Sequence, residues 1–301
     1  MDSVTMDGGT ASIAGLGQAW DLLSPGLQSM PVVFASPHSG TDYPSEFVAR
    51  SRLDPIALRK SEDSFVDEIF AGVTGEGAPL LRALFPRAYI DPNREPFELD
   101  PAMFSEALPD YANTRSPRIA AGLGTIARVV ANGEEIYRDK LRFADALERV
   151  ERLYRPYHAA LSRLIAATEG RFGLAVLIDC HSMPSIGGPM DEDAGRSRFD
   201  MVLGDCHGSS CAPALTQLVE RFLIGCGYQV ARNNPYAGGF TTRHYGTPGA
   251  RVHALQIEIN RALYMNETVI ERLPAIARVR ADMTALAAHL RERLPALLLG
   301  N

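Results

Sequence analysis

The sequence predicts an α/β fold in which helices cover both faces of one sheet. Short apolar, β-branched or aromatic runs, typical of strands, alternate with longer stretches in which apolar residues recur at three- and four-residue steps, as in helices. The run at 174–178 is apolar throughout, which is typical of a strand buried on both faces. Because no shift in composition marks a boundary, we expect one domain over residues 1–301, with a loose tail at 1–17.

The predicted elements are spread over the whole chain. The predicted strands lie at residues 32–35, 80–84, 88–90, 174–178, 201–203, 229–231 and 253–259. The predicted helices lie at residues 54–73, 117–168, 213–224 and 269–299, and the second of them is expected to break near Asn132 and Gly133. Two stretches rich in proline and glycine, 183–197 and 233–250, are expected to be long loops. Long loops inside a compact domain usually form lids or binding sites.

Composition and charge exclude several classes of protein. The chain carries 30 Lys and Arg against 36 Asp and Glu, so its formal net charge is -6. It therefore lacks the broad positive field that binding to nucleic acid or to an anionic membrane requires, and we expect neither partner. No stretch approaches the roughly 18 apolar residues of a membrane span. The four cysteines form no CxxC motif, and residues 1–17 do not resemble a secretory signal, so we expect a cytoplasmic protein with reduced thiols.

Polar clusters follow several predicted strands directly. Residues 36–40, 91–95 and 179–182 each come immediately after a predicted strand. In open α/β sheets, ligands bind beyond the carboxyl ends of the strands. We therefore expect His38 and His181 to lie in one site.

Two histidines and one carboxylate, with a fourth position left open, form the ligand set of a catalytic zinc ion. The carboxylate should come from a nearby loop or helix start, and the candidates are Glu62, Asp63 and Asp67. The alternative is that these acids only interact with the dipole of a helix, while the histidines are hydrogen-bonded loop residues. The residues alone leave the choice among the three acids open.

Glu258 introduces a charge into an apolar predicted strand, between Ile257 and Ile259. Strand alternation puts Gln256, Glu258 and Asn260 on one face. A carboxylate buried there without partners costs several kcal/mol, and its raised pKa suits a general base beside a water-activating metal. The alternative is an edge strand with one face in water.

Arg94 and Arg243 both lie in turn-rich sequence. A guanidinium group binds a carboxylate through two parallel hydrogen bonds, so loop arginines beside a metal would select an anionic substrate. His244 is a candidate donor to an oxyanion or a structural loop residue. The alternative for the arginines is ordinary surface pairing with Asp91 or Glu95.

Other motifs add little. The pairs Gly187-Gly188 and Gly238-Gly239 fit neither GxGxxG nor a Walker loop, and no GxSxG motif occurs, so neither a nucleotide site nor a serine hydrolase is indicated. We expect His158 to be a helix-packing residue and His207 to be a loop residue.

Six ordered segments resemble the N-formylglutamate amidohydrolase family. They are residues 36–40 with Tyr43 and Pro44, 63–67, 91–94, 179–182, 238–246, and 256–261 with 263–265. The resemblance implies a three-layer α/β/α sandwich with a mixed central sheet, of the phosphorylase/hydrolase-like kind. Its core architecture is similar to that of zinc carboxypeptidases and acylamino-acid deacylases.

The resemblance also implies a site and a reaction. It implies one zinc ion per chain, held by His38, Asp63 and His181, with Glu258 as the catalytic residue. The residues implied for substrate binding are Asn93, Arg94, Arg243 and His244. The implied reaction is hydrolysis of the linear amide of N-formyl-L-glutamate to L-glutamate and formate, in histidine degradation. Two alternatives are a zinc hydrolase of another N-acyl amino acid or peptide, and a non-catalytic protein that binds dicarboxylates.

Overall fold

A mixed seven-stranded sheet forms the centre of the computed structural model, which describes residues 16–189 and 191–299. Its strands are β1 (Trp20–Leu23), β2 (Val32–Ser36), β3 (Leu80–Ala83), β4 (Ala175–Met183), β5 (Met201–Gly204), β6 (Val230–Arg232) and β7 (Val252–Asn260). Their order is β1-β3-β2-β4-β7-β5-β6. The β1–β3 and β5–β7 pairs are antiparallel, and the other neighbouring strands are parallel.

Nine α-helices lie among the described residues. They are α1 (Ser45–Arg50), α2 (Pro55–Arg59), α3 (Val66–Phe70), α4 (Pro117–Ala120), α5 (Phe143–Arg149), α6 (Arg155–Phe172), α7 (Pro213–Gly225), α8 (Phe240–Tyr245) and α9 (Ile276–Leu299). A π-helical stretch, Val150–Tyr154, joins α5 to α6. A small second sheet pairs β8 (Met265–Asn266) with β9 (Glu271–Arg272).

Alternate residues along the central strands pack into two separate apolar cores. In β2, Val33 and Ala35 belong to the core that α5 and α6 cover, whereas Val32 and Phe34 belong to the core covered by α3, α7 and α9. This alternation is expected of a sheet with period-two side chains and helices on both faces. The predicted three-layer α/β/α sandwich with a mixed sheet is confirmed.

The predicted strands are present except for the one at 88–90, which was wrong. Those residues form a turn, in which the backbone N–H of Tyr89 donates to the carbonyl of Pro86 at 2.9 Å. These residues are apolar because Tyr89 and Ile90 are buried in a core, although they do not form a strand. The strand predicted at 174–178 continues to Met183, and β1 lies outside all of the predicted strands.

The predicted helices are less continuous than expected. The helix expected at 54–73 is split into α2 and α3 by an irregular segment, 60–65. In the region 117–168, residues 121–142 are not helical, so the break is much longer than the one expected at Asn132 and Gly133. The loop expected at 233–250 contains α8.

The predicted tail lies outside the described residues, apart from Leu16 and Gly17. Leu16 is buried in the core beneath α6, so the prediction was wrong for that residue. Among the described helices, none combines the length and the apolar character needed to cross a bilayer. All four cysteines are free thiols.

Candidate active site

The centre of the sheet brings polar side chains from neighbouring strands to one face. His181 of β4 is paired in register with Glu258 of β7, and both lie on the face covered by α6, as alternation requires. His38 follows the end of β2, and its carbonyl accepts a hydrogen bond from the backbone N–H of Asp63 at 3.0 Å. Because β7 lies between β4 and β5, the alternative of an edge strand for Glu258 is excluded.

His38, Asp63 and His181 converge on one point. Asp63 Oδ2 lies 3.3 Å from His38 Nδ1 and 3.0 Å from His181 Nδ1, and the two Nδ1 atoms are 3.1 Å apart. All three side chains are buried. Ligands bound at about 2.0–2.1 Å in a tetrahedral site lie about 3.3 Å from one another. The three atoms are therefore spaced like three of the four ligands of a tetrahedral metal site.

The other candidate acids are turned away from this cluster. Glu62 accepts hydrogen bonds from the guanidinium of Arg59, the shortest at 2.9 Å. Asp67 accepts from Arg82 at 2.8 Å. The geometry thus selects Asp63 from the three acids that the residue pattern left open.

Each histidine of the cluster has a carboxylate on its outer nitrogen. His38 Nε2 lies 2.7 Å from Asp91 Oδ1, and His181 Nε2 lies 3.0 Å from Asp179 Oδ2. A carboxylate only accepts, so each Nε2 carries the proton and each Nδ1 directs a lone pair into the cluster. With Asp63 Oδ2, three acceptor atoms then face one another in a buried space. Such a donor set fits a divalent cation, because without positive charge between them the three atoms repel.

Asp63 is held so that one oxygen stays free. Its Oδ1 accepts a hydrogen bond from Arg261 Nη2 at 3.1 Å and lies 3.8 Å from Arg87 Nη1. Burial alone would raise the pKa of Asp63, but the neighbouring imidazoles of His181 and His38 and the positive charge of Arg87 outweigh it and hold that pKa well below its usual range. Asp63 is therefore a charged group that presents Oδ2 to the cluster.

A cavity of about 370 Å³ opens beside the cluster, and Glu258 forms part of its wall. Gln256 Nε2 donates to Glu258 Oε1 at 2.8 Å, while Gln256 Oε1 accepts from the backbone N–H of Gly239 at 2.9 Å. Burial, together with the negative charge of Asp63, raises the pKa of Glu258 to about 7, although His181 opposes this shift. A carboxyl with a pKa in this range can take up and release a proton near neutral pH.

Four arginines line the same cavity, which are Arg87, Arg94, Arg118 and Arg261. Arg94 donates from Nε to the carbonyl of Leu123 at 2.9 Å and from Nη1 to the carbonyl of Asn93 at 2.8 Å. The Asn93 side chain also lines the cavity, and its Oδ1 accepts from the backbone N–H of Thr241 at 2.8 Å. The cavity therefore combines the buried carboxyl group of Glu258 with a wall of positively charged side chains.

The structure does not bring Arg243 and His244 to this cavity. They lie in α8, a helix that turns Thr241 and Thr242 inward and leaves both of these side chains exposed. Arg243 Nη1 is 3.4 Å from the carbonyl of Gly238, and the His244 ring stacks on Phe240 with ring centroids 4.8 Å apart. The expectation that they would face the site failed because the glycine-rich stretch contains a helix rather than a loop.

Comparisons with known proteins identify the family of this chain. The model of the N-formylglutamate amidohydrolase family matches residues 30–265. The chain belongs to the N-formylglutamate amidohydrolase family. A member of solved structure, N-formylglutamate amidohydrolase from Ralstonia eutropha JMP134, is 38% identical, with a TM-score of 0.83 over 94% of this chain and 99% of that one.

The chain is also similar to two curated proteins and to a second solved structure. The N-formylglutamate deformylase of Pseudomonas aeruginosa is 30% identical over 274 residues, which cover 89% of this chain and 93% of that protein. The deformylase of Pseudomonas putida is 28% identical over 242 residues, covering 79% and 83%. The gene product Atu2144 of Agrobacterium tumefaciens is 19% identical with a TM-score of 0.62, covers 94% of this chain and 96% of that one, and shows a shared fold.

Several residues of this site could not be identified as site residues from the sequence pattern around them. Arg87 lies in the turn 86–90 that was predicted as a strand, and Arg118 lies in the short helix α4. Arg261 directly follows β7. It lies within the last of the segments that resemble the family, and that resemblance was the only indication of its role. His158 anchors the loop before Arg94, since its Nε2 donates to the carbonyl of Pro92 at 2.8 Å.

Proposed function

We propose that the protein hydrolyses the linear amide of N-formyl-L-glutamate to L-glutamate and formate, using one zinc ion held by His38, Asp63 and His181. The observation that carries this proposal is the convergence of three buried ligand atoms beside a buried glutamate in an arginine-lined cavity. The names of three relatives that are 28–38% identical to this chain support the substrate, since they are N-formylglutamate deformylases or an N-formylglutamate amidohydrolase.

Two nitrogen ligands and one oxygen ligand, with a further position open toward a cavity, form the ligand set of a catalytic zinc site. When bound there, zinc supplies Lewis-acid polarisation of the amide carbonyl and makes a water molecule more acidic. Asp91 and Asp179 support this role, because they hold the two imidazole rings in the tautomer that a metal ligand needs.

Glu258 performs the proton transfers in the proposed reaction. It accepts a proton as a water oxygen forms a bond to the formyl carbon. It then donates that proton to the amide nitrogen as the carbon–nitrogen bond breaks, because an amine leaves poorly without it. Gln256 keeps the carboxylate in position through its 2.8 Å hydrogen bond.

The cavity arginines supply the positive charge that the substrate requires. Arg87 lies between Asp91 and Asp63, at 2.8 Å and 3.8 Å from their nearest oxygens, and we assign it to the carbonyl oxygen as that atom gains negative charge. Arg94, beside Asn93, is assigned to a substrate carboxylate. Arg243 and His244, which are exposed, have no structural support for the substrate role expected from the sequence.

We place this reaction in histidine degradation, as the family resemblance implies, and the protein in the cytoplasm. The free thiols support a reducing compartment. The partner is then a small anionic N-acyl amino acid, since the cavity is of small-molecule size and has a charged wall.

The proposal is tested by measuring formate released from N-formyl-L-glutamate, with and without a chelator. We expect turnover that the chelator abolishes and added zinc restores. Parallel assays with N-acetyl- and N-succinyl-L-glutamate separate the alternatives. Hydrolysis of N-acetyl- or N-succinyl-L-glutamate without hydrolysis of N-formyl-L-glutamate would make the protein a hydrolase of another N-acyl amino acid. Dicarboxylate binding without hydrolysis of any of them would make it a binding protein.

The carboxylate on the outer nitrogen of His181 provides a further prediction. Asp179→Asn is expected to weaken zinc affinity by about 10- to 100-fold, because the amide is a poorer acceptor for the imidazole N–H. Competition with a chromophoric chelator measures the affinity. Asp67→Asn is the matched control, because Asp67 lies outside the cluster and pairs with Arg82. Equal zinc affinity in the wild type and Asp179→Asn would contradict the prediction.

A further inference from the structure

One wall of the cavity holds two guanidinium groups that make no side-chain hydrogen bond to the carboxylates beside them. The Arg94 Nη2 atom lies 4.0 Å from Asp91 Oδ2, but that carboxylate is already engaged by Arg87 at 2.8 Å and by His38 at 2.7 Å. The nearest carboxylate oxygen to Arg118, at 3.9 Å from its Nη1, belongs to Glu98. That distance is too long for a hydrogen bond. Two arginines held this way leave donors free for an anion from solution.

Buried hydrogen bonds fix the residues around Arg118. Glu98 is buried, its Oε1 accepts a hydrogen bond from Ser116, and its Oε2 has no hydrogen-bond partner among the described residues. Ser116 Oγ also caps α4, by accepting from the backbone N–H of Ile119 at 3.2 Å. Arg118 therefore stands on a capped turn, with a fixed carboxylate behind it and the cavity in front.

A close chain crossing fixes the segment to which Arg94 is hydrogen-bonded. A Cβ atom at Gly124 would lie 2.4 Å from the carbonyl oxygen of Glu98, so only glycine lets the two segments pass. This crossing holds Leu123 where its carbonyl accepts from Arg94 at 2.9 Å. Burial lowers the pKa of Arg94 to about 10, and the positive charges of Arg118 and Arg87 add to the shift while Asp91 opposes it. Arg94 thus stays protonated at neutral pH beside a second cation.

We propose that Arg118 is a specificity-determining residue that binds the side-chain carboxylate of the amino-acid part of the substrate. Arg94, with Asn93, binds the α-carboxylate. The pair Asn93 and Arg94 is assigned to the carboxylate nearer the reacting centre, since Asn93 Nδ2 lies 3.3 Å from His181 Nε2. The carbon of the α-carboxylate is two bonds from the scissile nitrogen, whereas the carbon of the side-chain carboxylate of glutamate is four bonds from it and reaches toward α4. This inference rests on the proposed function.

The consequence is selection for dicarboxylic amino acids by a contact remote from the bond that breaks. Such a contact stabilises the bound substrate and the transition state alike, so its loss raises KM more than it lowers kcat. A hydrogen bond to a charged group is worth about 10- to 100-fold in affinity. Substrates of the same shape with a neutral side chain lack the contact, so its removal should not change their kinetics.

Steady-state kinetics of Arg118→Gln on two substrates test the proposal. With N-formyl-L-glutamate we expect KM to rise about 10- to 100-fold, with kcat within about threefold of the wild-type value. With N-formyl-L-glutamine, a substrate of the same size whose side chain is neutral, we expect kcat/KM to change less than threefold. Arg118→Lys, which keeps the charge, should recover part of the loss. Arg115→Gln is the matched control, because Arg115 is exposed, is close in sequence and does not line the cavity.

Equal losses on both substrates, or no loss on either, would overturn the assignment of Arg118. Calorimetric binding of glutarate and of butyrate to the zinc-loaded protein gives an answer that does not require turnover. Selective loss of glutarate affinity in Arg118→Gln supports a second carboxylate site even if N-formyl-L-glutamate is not hydrolysed. An unchanged preference for glutarate over butyrate in that variant overturns the site, whatever the activity.

Discussion

Replacing Glu258 by glutamine is expected to reduce kcat by about 10²- to 10⁴-fold while leaving zinc bound. Glutamine has the same shape, and its amide oxygen can still accept the hydrogen bond that Gln256 donates at 2.8 Å. It cannot take a proton from the attacking water or return one to the leaving amine. The change therefore removes the proton transfers and keeps the packing of β7.

Two measurements on Glu258→Gln separate this role from a structural one. Elemental analysis should give the same zinc content as the wild type, and steady-state assays should show the loss in kcat. Glu95→Gln removes a carboxylate from the exposed side of the same region and should keep full activity. Full turnover in Glu258→Gln would remove this residue from the mechanism.

Replacing His181 by alanine is expected to abolish metal binding and activity together. The variant loses one of three ligands and leaves the carboxylate of Asp179 buried without its imidazole partner. Because the metal contributes several kcal/mol to the reaction, activity should fall by roughly 10³-fold or more. His207→Ala is the matched control, since His207 is exposed and lies outside the cluster.

Thermal unfolding adds a readout for His181→Ala that does not depend on activity. A metal that binds only the native state stabilises it, so a chelator should lower the Tm of the wild type. The same chelator should leave the Tm of His181→Ala unchanged. A full equivalent of zinc in that variant would contradict the assignment of His181 as a ligand.

Much of the reacting centre could be predicted from local patterns. Period-two alternation alone puts Glu258 on the same face as Gln256, and the structure has both on the cavity wall. Two histidines near the ends of predicted parallel strands were enough to expect one site. The choice of Asp63 over Glu62 was beyond pattern reasoning, because it depends on how the segment 60–65 leaves α2.

The substrate end of the cavity was less predictable. Arg94 and Arg118 line one cavity, and the segment that holds Arg94 depends on the crossing of Gly124 over Glu98, a tertiary contact that no sequence periodicity indicates. Arg243 lies in a stretch whose glycines suggested an open loop, but α8 begins at Phe240 and turns its side chain to solvent. The position of a charged residue on a connecting segment depends on how the chain packs. The face that a charged strand residue occupies follows from the two-residue alternation of the strand.

The register between β4 and β7 has a consequence for how this enzyme family can change. His181 and Glu258 are opposite one another on adjacent strands, so their spacing is set by the backbone ladder and not by any flexible segment. Arg94 and Arg118, in contrast, stand on connecting segments that tolerate insertions and exchanges. New acyl amino acids can then be accommodated by rebuilding those connections, while the reactive pair keeps its geometry.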